Sequence, residues 1–447
     1  MHVQPSSTAQ STPTLSEKKP AKNVLYAQAG GVSAVINVSA VAVIEAVQQH
    51  SDYFGKTYAA LNGIKGVLEE TLVDVSNLPT ETLEQLKYQP GAAFKACRFD
   101  LDPLEHNIEH YERVLEVFKT YDIGYFFYNG GNGSMVTAQK VADYCREHGH
   151  QVTCVGVAKT IDNDLALSHC SPGFGSAAKY LATSFLETTL DIISMHETSS
   201  KFFIMETMGR DTGWLTLATA LVKEVIPDVP LIILSAERPF NEAKFLQKVE
   251  ALIAEKGYCV CAVSEGLQKE NGDYLSIASI EHTFERDYVQ LGGVASKLAY
   301  RVGEHLNIKT HHAVPDYMQR SASHLVSDAD WQLAYGAGKA AVDAAIAGLH
   351  GVLPVVELIS NTPFKWRFKP VELEAVASLE KSVPEDFLTA DGMDVTEAAL
   401  AYLRPLIQGE RPVPFRNGLP DIPVIAFTPV EQQLPPFIAV NKPSANL

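Results

Sequence analysis

The sequence predicts an α/β protein of two lobes, each built on a mainly parallel sheet. Three observations predict it. Short apolar runs of strand length alternate with longer segments of helical periodicity through most of the 447 residues, the pattern of sheets covered by helices on both faces. Several of these runs exit into glycine-rich turns that hand over to a helix, which sets backbone N–H groups at strand carboxyl ends, where open α/β sheets hold ligands. The alternation restarts near Gly173.

The first unit opens with a strand over Asn23 to Ala27, a turn Gln28-Ala29-Gly30-Gly31-Val32-Ser33, and a helix over Ala34 to Gln49. Lys56 to Leu61 reads as a strand, Pro79 to Tyr88 and Leu104 to Thr120 as helices, with Arg98 in the loop between those helices. Gly55-Lys56-Thr57 imitates the end of a P-loop, but His50 stands where that motif needs glycine. The strand Tyr125 to Tyr128 breaks into Asn129-Gly130-Gly131-Asn132-Gly133-Ser134, and the strand Gln151 to Val157 empties into Ala158-Lys159-Thr160-Ile161-Asp162-Asn163-Asp164. In the second unit, helix is expected over Ala177 to Met195, after Gly213, over Glu242 to Glu255, Gln290 to Leu306 and Ser327 to Gly348. Strands are expected over Lys201 to Glu206, Leu231 to Leu234, Tyr258 to Val263 and Lys309 to Val314. From Glu372 onward, helix and proline-rich loop read as a packed C-terminal extension.

A chain that is 46% hydrophobic and 20% charged can bury a large core, and its net charge of −17 argues against a general nucleic-acid or membrane binder. Any anionic substrate must then be held by local clusters of Lys and Arg. Six cysteines in apolar contexts without CxxC spacing read as buried free thiols of a reducing cytosol. Residues 1–22 have neither an apolar stretch nor arginine, so a disordered tail is expected rather than a secretory or mitochondrial signal. No apolar run approaches the roughly 18 residues that span a bilayer.

The exits at 129–134 and 158–164 carry complementary chemistry, one suited to an oxyanion, the other supplying a cation, a hydroxyl and two carboxylates. Phosphoryl transfer to an alcohol needs cations on the moving phosphate, in-line geometry and a base near the hydroxyl. Asp162 is the candidate base, and Asp164 either orients it or holds Mg²⁺ through water; the bland alternative is that Asp-Asn-Asp only forms Asx-turns. Arg98, Lys201, Arg210 and Arg320 recur at strand-end turns, and Glu265 leaves a strand where it could accept hydrogen bonds from sugar hydroxyls. Ala262 replaces the first glycine of a nucleophile elbow, and His311-His312 and Cys259-x-Cys261 lack the spacing of a metal site. No G-x-G-x-x-G follows an expected strand, which weighs against a dinucleotide oxidoreductase.

From Asn23 to the C-terminus the chain resembles the phosphofructokinase family, most of all its long bacterial pyrophosphate-dependent type. The resemblance rests on Gly30-Gly31 with Val35-Ile36-Asn37, Gly130 to Ser134, Lys159 to Asp164, Met208-Gly209-Arg210, Ser264-Glu265-Gly266 and Tyr317-Met318-Gln319-Arg320. It implies two Rossmann-like lobes with the active site in the cleft between them. Residues 23–173 plus 319–370 would bind the phosphoryl donor; residues 174–318 plus 371–447 would bind fructose 6-phosphate and carry the extension. Asp162 would take the proton of the sugar 1-hydroxyl, Asp164 would assist through Mg²⁺, with Asn132 and Asp162 as further metal ligands, and Thr160 would contact the sugar or the moving phosphate. Arg210 and Arg98 would neutralise the transferred group. Met208, Gly209 and Glu265 would line the sugar site, and Tyr317 and Arg320 would hold its 6-phosphate, with Lys201 reaching across a subunit boundary. Gly31 and the loop of Gly131, Asn132, Gly133 and Ser134 would cradle the donor. Lys159 stands where many ATP enzymes of the family have glycine, and a point charge there suits compact pyrophosphate. Gly133 stands where the pyrophosphate type usually has Asp, which removes a barrier to nucleotide, so ATP is the alternative donor; a catalytically silent sugar-phosphate-binding subunit is the alternative of another class. A cytosolic homodimer or higher homo-oligomer is also implied.

Overall fold

The computed structural model describes residues 21–99, 101, 104, 107–282, 287–377, 379–422 and 424–438. The tail expected over 1–22 lies, up to residue 20, outside them. Strand side chains alternate between faces, and here both faces are buried. In β1 (Lys22–Gln28), Val24 and Tyr26 enter one apolar cluster while Leu25 and Ala27 enter another. The strands that follow are β2 (Phe54–Ala60), β3 (Leu72–Asp74), β4 (Ile123–Gly130) and β5 (Thr153–Ala158). β6 (Phe202–Thr207), β7 (Leu231–Leu234) and β8 (Cys259–Ser264) lead to the hairpin β9 (Ile277–His282) and β10 (Asp287–Leu291), then β11 (Thr310–Ala313), β12 (Val352–Asn361) and β13 (Phe364–Glu372). β6 repeats the arrangement of β1, with Phe203 and Met205 in one cluster and Phe202 and Ile204 in another.

Two main sheets result, as expected. The first runs β13-β12-β5-β4-β1-β2-β3; its inner strands are parallel and its outermost, β13 and β3, antiparallel. The second runs β11-β6-β8-β7, all parallel. In the first sheet the chain goes from β1 to β2 on one side and then to β4 on the other, so a crevice opens beyond Gln28 and Gly130. The helices Ile36–Gln49 and Asp328–Ile346 cross closely on one face: Ser39 Oγ donates to the Ala334 carbonyl at 2.9 Å, and a Cβ on Gly338 would stand 2.8 Å from the Ala42 methyl.

Several expectations change. The helix expected from Gln290 begins at Val294, because Gln290 and Leu291 pair in β10 and Gly292 and Gly293, at φ 137° and 84°, break the chain direction. The helix expected from Leu104 begins at Ile108, and residues 102, 103, 105 and 106 lie outside the described residues. The hairpin of β12 and β13, where Pro354 faces Pro370, had no expected element. The extension does not stay with the second sheet. Its end packs on the first: Phe427 lies 4.8 Å from the Phe94 ring, and the Leu434 N–H donates to buried Glu70 at 3.0 Å. The six cysteines are free, five of them buried and Cys97 partly so. Among the described residues no helix is long and apolar enough to cross a membrane.

Candidate active site

Strand exits from both sheets build the site. β1 exits into Gly30-Gly31, where a Cβ on Gly31 would stand 3.3 Å from a guanidinium nitrogen of Arg320 and 3.7 Å from one of Arg98. Two arginines therefore converge on a turn that has no side chain of its own, and the Lys159 ammonium donates to the Gly31 carbonyl. The loop carrying Arg98 is pinned by Asn37, whose Nδ2 donates to the Gln89 and Gly91 carbonyls at 2.7 Å each and whose Oδ1 accepts from the Ala93 N–H at 3.0 Å.

β4 ends at Gly130, and the helix Asn132–Glu147 starts at once behind Gly131. A helix start presents N–H donors and positive potential, suited to an anion. Ser134 is buried against Gly130, behind the turn, whereas Gly133 is exposed.

β5 delivers Lys159, which is 3% exposed. Burial lowers its pKa to about 8 and Arg98 and Arg320 push the same way, while Asp162 and Asp164 support its charge. Thr160 shapes the turn: its N–H donates to the Pro172 carbonyl at 3.2 Å and its Oγ1 accepts from the Asp162 N–H at 3.1 Å. Asn163, at φ 56°, is turned inward, its Oδ1 accepting from the Ser171 N–H at 3.0 Å and its Nδ2 donating to the Tyr402 hydroxyl at 2.8 Å. Asp162 and Asp164, on either side of it, keep partial exposure. Burial raises the Asp162 pKa to about 7, reinforced by Asp164 and by Glu265 from the other sheet and opposed by Lys159 and Arg98. Asp164 Oδ2 accepts from Asn132 Nδ2 at 3.2 Å. The remaining oxygens, Asp164 Oδ1 and Asn132 Oδ1, are buried without a hydrogen-bond partner.

From the second sheet, β6 delivers Met208-Gly209-Arg210 and β8 delivers Glu265. The Gly209 N–H donates to Glu265 Oε1 at 3.3 Å, and the Met208 N–H donates to Gln319 Oε1 at 3.1 Å. Gly209 has φ 137°, and a Cβ there would strike the Thr212 carbonyl. Burial also holds the Glu265 pKa up. Arg210 donates to the Val289 carbonyl at 2.7 Å. Thr212 Oγ1 donates to the Asp162 carbonyl at 3.2 Å, joining the loop that leaves β5 to the loop that leaves β6. The Arg320 guanidinium lies 3.8 Å from the centroid of the exposed Tyr317 ring at the rim.

Lys201 is the expected residue that stays apart. It precedes β6 at the amino end and Met208 follows the carboxyl end, so about 20 Å of strand separates them. Residues that sequence reasoning missed include Thr212, Glu237, Trp214 and Lys381, which tie the loops together by hydrogen bonds. Gln319 lies inside a quoted motif, and its polar side chain between Met318 and Arg320 was the one available signal.

The family model described as Phosphofructokinase matches residues 23–345. A pyrophosphate--fructose 6-phosphate 1-phosphotransferase of Halomonas elongata is 45% identical over 415 residues, covering 93% of this chain and 99% of that one. One of Methylococcus capsulatus is 42% identical, covering 93% and 98%. The crystal structure of a pyrophosphate-dependent phosphofructokinase from Nitrosospira multiformis superposes with a TM-score of 0.86 at 42% identity, covering 94% of this chain and 100% of that one. Glycine turns at the exits of β1 and β4, carboxylates at that of β5 and a glycine–arginine turn at that of β6 thus occur in a chain that belongs to the phosphofructokinase family.

Proposed function

We propose that the protein is a phosphotransferase moving a phosphoryl group from pyrophosphate to the 1-hydroxyl of fructose 6-phosphate. The products are fructose 1,6-bisphosphate and phosphate, and the reaction is reversible because the two donors have similar transfer potential. The observation that carries this reading is the placement of Asp162: a carboxyl at the exit of β5 beside buried Lys159, between the glycine turns of the first sheet and Glu265 of the second, with burial holding it above the usual carboxylate range. A general base works best with a pKa near the working pH.

In this reading residues 23–173 plus 319–370 hold the donor, and residues 174–318 with the start of the extension hold the acceptor. The sugar lies against Met208, Gly209 and Glu265, with its 6-phosphate at Tyr317 and Arg320. Asp162 takes the proton of the 1-hydroxyl as that oxygen attacks phosphorus. Arg98 and Arg210 neutralise the transferred group, and Lys159 meets the charge that develops on the departing phosphate. Thr160 keeps Asp162 in place through its backbone, and the helix start at Asn132-Gly133 faces the donor. Lys201 serves the 6-phosphate of a neighbouring subunit in a homodimer or larger assembly, in the cytoplasm.

Mg²⁺ fits the residues present. Asn132 Oδ1 and Asp164 Oδ1 are buried acceptors without partners, a donor set of hard oxygens. Among the described residues no three His, Cys, Asp or Glu side chains form a metal group, which agrees with an ion bound by one or two protein oxygens plus water and phosphate. When bound, Mg²⁺ would neutralise donor phosphate oxygens; Asp164 and Asn132 would hold it, with Asp162 nearby.

The test is product formation by the purified protein with pyrophosphate and with ATP in parallel. Pyrophosphate should support fructose 6-phosphate-dependent turnover, and consumption of neither donor would overturn the proposal. Gly133 supports a second donor reading, because no side chain there crowds a nucleotide. A preference for ATP that Gly133→Asp abolishes would establish it.

A further inference from the structure

The C-terminal extension returns to the candidate active site behind the catalytic loop. Leu165 and Glu380 form an antiparallel bridge, and the Lys381 N–H donates to the Asp164 carbonyl at 2.9 Å. The Lys381 ammonium has three protons, and three acceptors of the same loop meet them: Asn163 Oδ1 at 3.1 Å, the Ser168 carbonyl at 3.1 Å and the His169 carbonyl at 3.0 Å. Together with the Ser171 N–H and the Tyr402 hydroxyl, Lys381 holds Asn163 turned inward and so fixes the path of the loop that carries Asp162 and Asp164.

The same short segment grips the opposite loop. Trp214 Nε1 donates to the Lys381 carbonyl at 2.9 Å, and the ammonium lies 5.0 Å from the Trp214 ring centroid. Two residues on, the Val383 N–H donates to Glu237 Oε1 at 3.1 Å, and that carboxylate also takes the Gly213 N–H at 2.9 Å. Gly213 and Trp214 close the turn that begins with Met208-Gly209-Arg210. Residues 380–383 therefore touch the loop bearing the candidate base and the loop bearing the candidate phosphate-neutralising arginine, although they belong to neither sheet.

We propose that residues 380–383 are a strap that fixes the Asp162–Asp164 loop against the Met208–Trp214 loop, with Lys381 as the positioning residue for Asp162. Lys381 contacts the backbone and Asn163 from behind, so it sets geometry without entering the reaction. This rests on the phosphotransferase reading above.

The experiment compares the full-length parent with Lys381→Met, which keeps an apolar stem on Trp214 and deletes the three donated hydrogen bonds. kcat is expected to fall about 30-fold, the scale of a sub-ångström displacement of a reacting group. The KM values for fructose 6-phosphate and pyrophosphate should stay within about threefold, because the Lys381 side chain itself donates only to Asn163 and to the Ser168 and His169 carbonyls, none of which is assigned to either substrate. Kinetics are taken well below the melting temperature of each protein, so a merely structural role lowers that temperature and leaves kcat per folded molecule alone. A kcat within threefold of the parent overturns the strap. If Lys381→Met does not fold, Trp214→Phe, which removes the indole N–H to the Lys381 carbonyl together with one ring of the side chain, carries the test; about a fivefold fall in kcat is expected, and an unchanged kcat overturns the strap. A parent that turns over neither donor defeats the functional reading itself, whereas an active parent with unaffected variants defeats the strap alone.

Discussion

Replacing Asp162 by Asn removes one negative charge and one proton acceptor while keeping the shape of the side chain. The backbone contacts of residue 162, its N–H to Thr160 Oγ1 and its carbonyl from Thr212 Oγ1, do not depend on the carboxylate, so the loop should keep its path. General-base assistance contributes about 10²- to 10⁴-fold, so kcat should fall by that factor, about 3–5 kcal/mol in barrier height. The raised pKa gives a second signature. Burial and Asp164 hold the Asp162 carboxyl well above the usual carboxylate range, so kcat/KM of the parent should fall on the acid side at a higher pH than an ordinary carboxylate would give. The residual activity of Asp162→Asn should lack that limb. Stability should move the opposite way. A carboxyl whose folded pKa lies above its unfolded value makes the folded state bind more protons, so parent stability declines as pH rises from the ordinary carboxylate range through about 7. Asp162→Asn escapes that decline, so its melting temperature relative to the parent should rise between about pH 5.5 and pH 8.5. Initial rates from pH 5.5 to 8.5 with pyrophosphate saturating, and melts over the same range, read both effects. A variant with kcat within threefold of the parent, or with the same acid limb, would refute Asp162 as the base.

Lys159→Met should lower kcat/KM for pyrophosphate about 10²-fold or more, the cost of deleting one buried charge among opposite partners. It should also remove an alkaline limb, because the Lys159 pKa of about 8 means that the parent loses this cation as pH rises; steady-state kinetics between pH 7 and 9 check it. Chelation of Mg²⁺ should abolish turnover. Asp164→Asn should raise the Mg²⁺ concentration for half-maximal rate at least about tenfold, scored by Mg²⁺ titration, because a neutral amide is a poorer ligand for this hard cation. Gly209→Ala should destabilise the protein by about 1–3 kcal/mol, since φ 137° is foreign to alanine and its Cβ meets the Thr212 carbonyl; a denaturant melt measures it.

Much of this molecule is legible in order along the chain. The central strands β1, β4, β5, β6 and β8 are apolar on both faces, so they stand out as short unbroken runs, and their carboxyl-end turns carry the candidate chemistry within a few residues. What sequence alone does not show is long-range. Lys381 lies 218 residues from Asn163 and no local pattern connects them. The end of the extension settles on Glu70 and Phe94 of the first sheet for reasons of fit that composition does not reveal. The double glycine at 292–293 could have stopped the expected helix at Gln290, because successive positive φ values end helices and strands alike. Strand polarity alone would have placed Lys201 away from Met208, since the two flank opposite ends of β6.

The reverse reaction tests the central claim most directly. The purified protein is supplied with fructose 1,6-bisphosphate, phosphate and Mg²⁺, without nucleotide, and pyrophosphate and fructose 6-phosphate are both quantified. The two products should form in equal amounts, in a phosphate-dependent reaction. Failure to form pyrophosphate would contradict the claim.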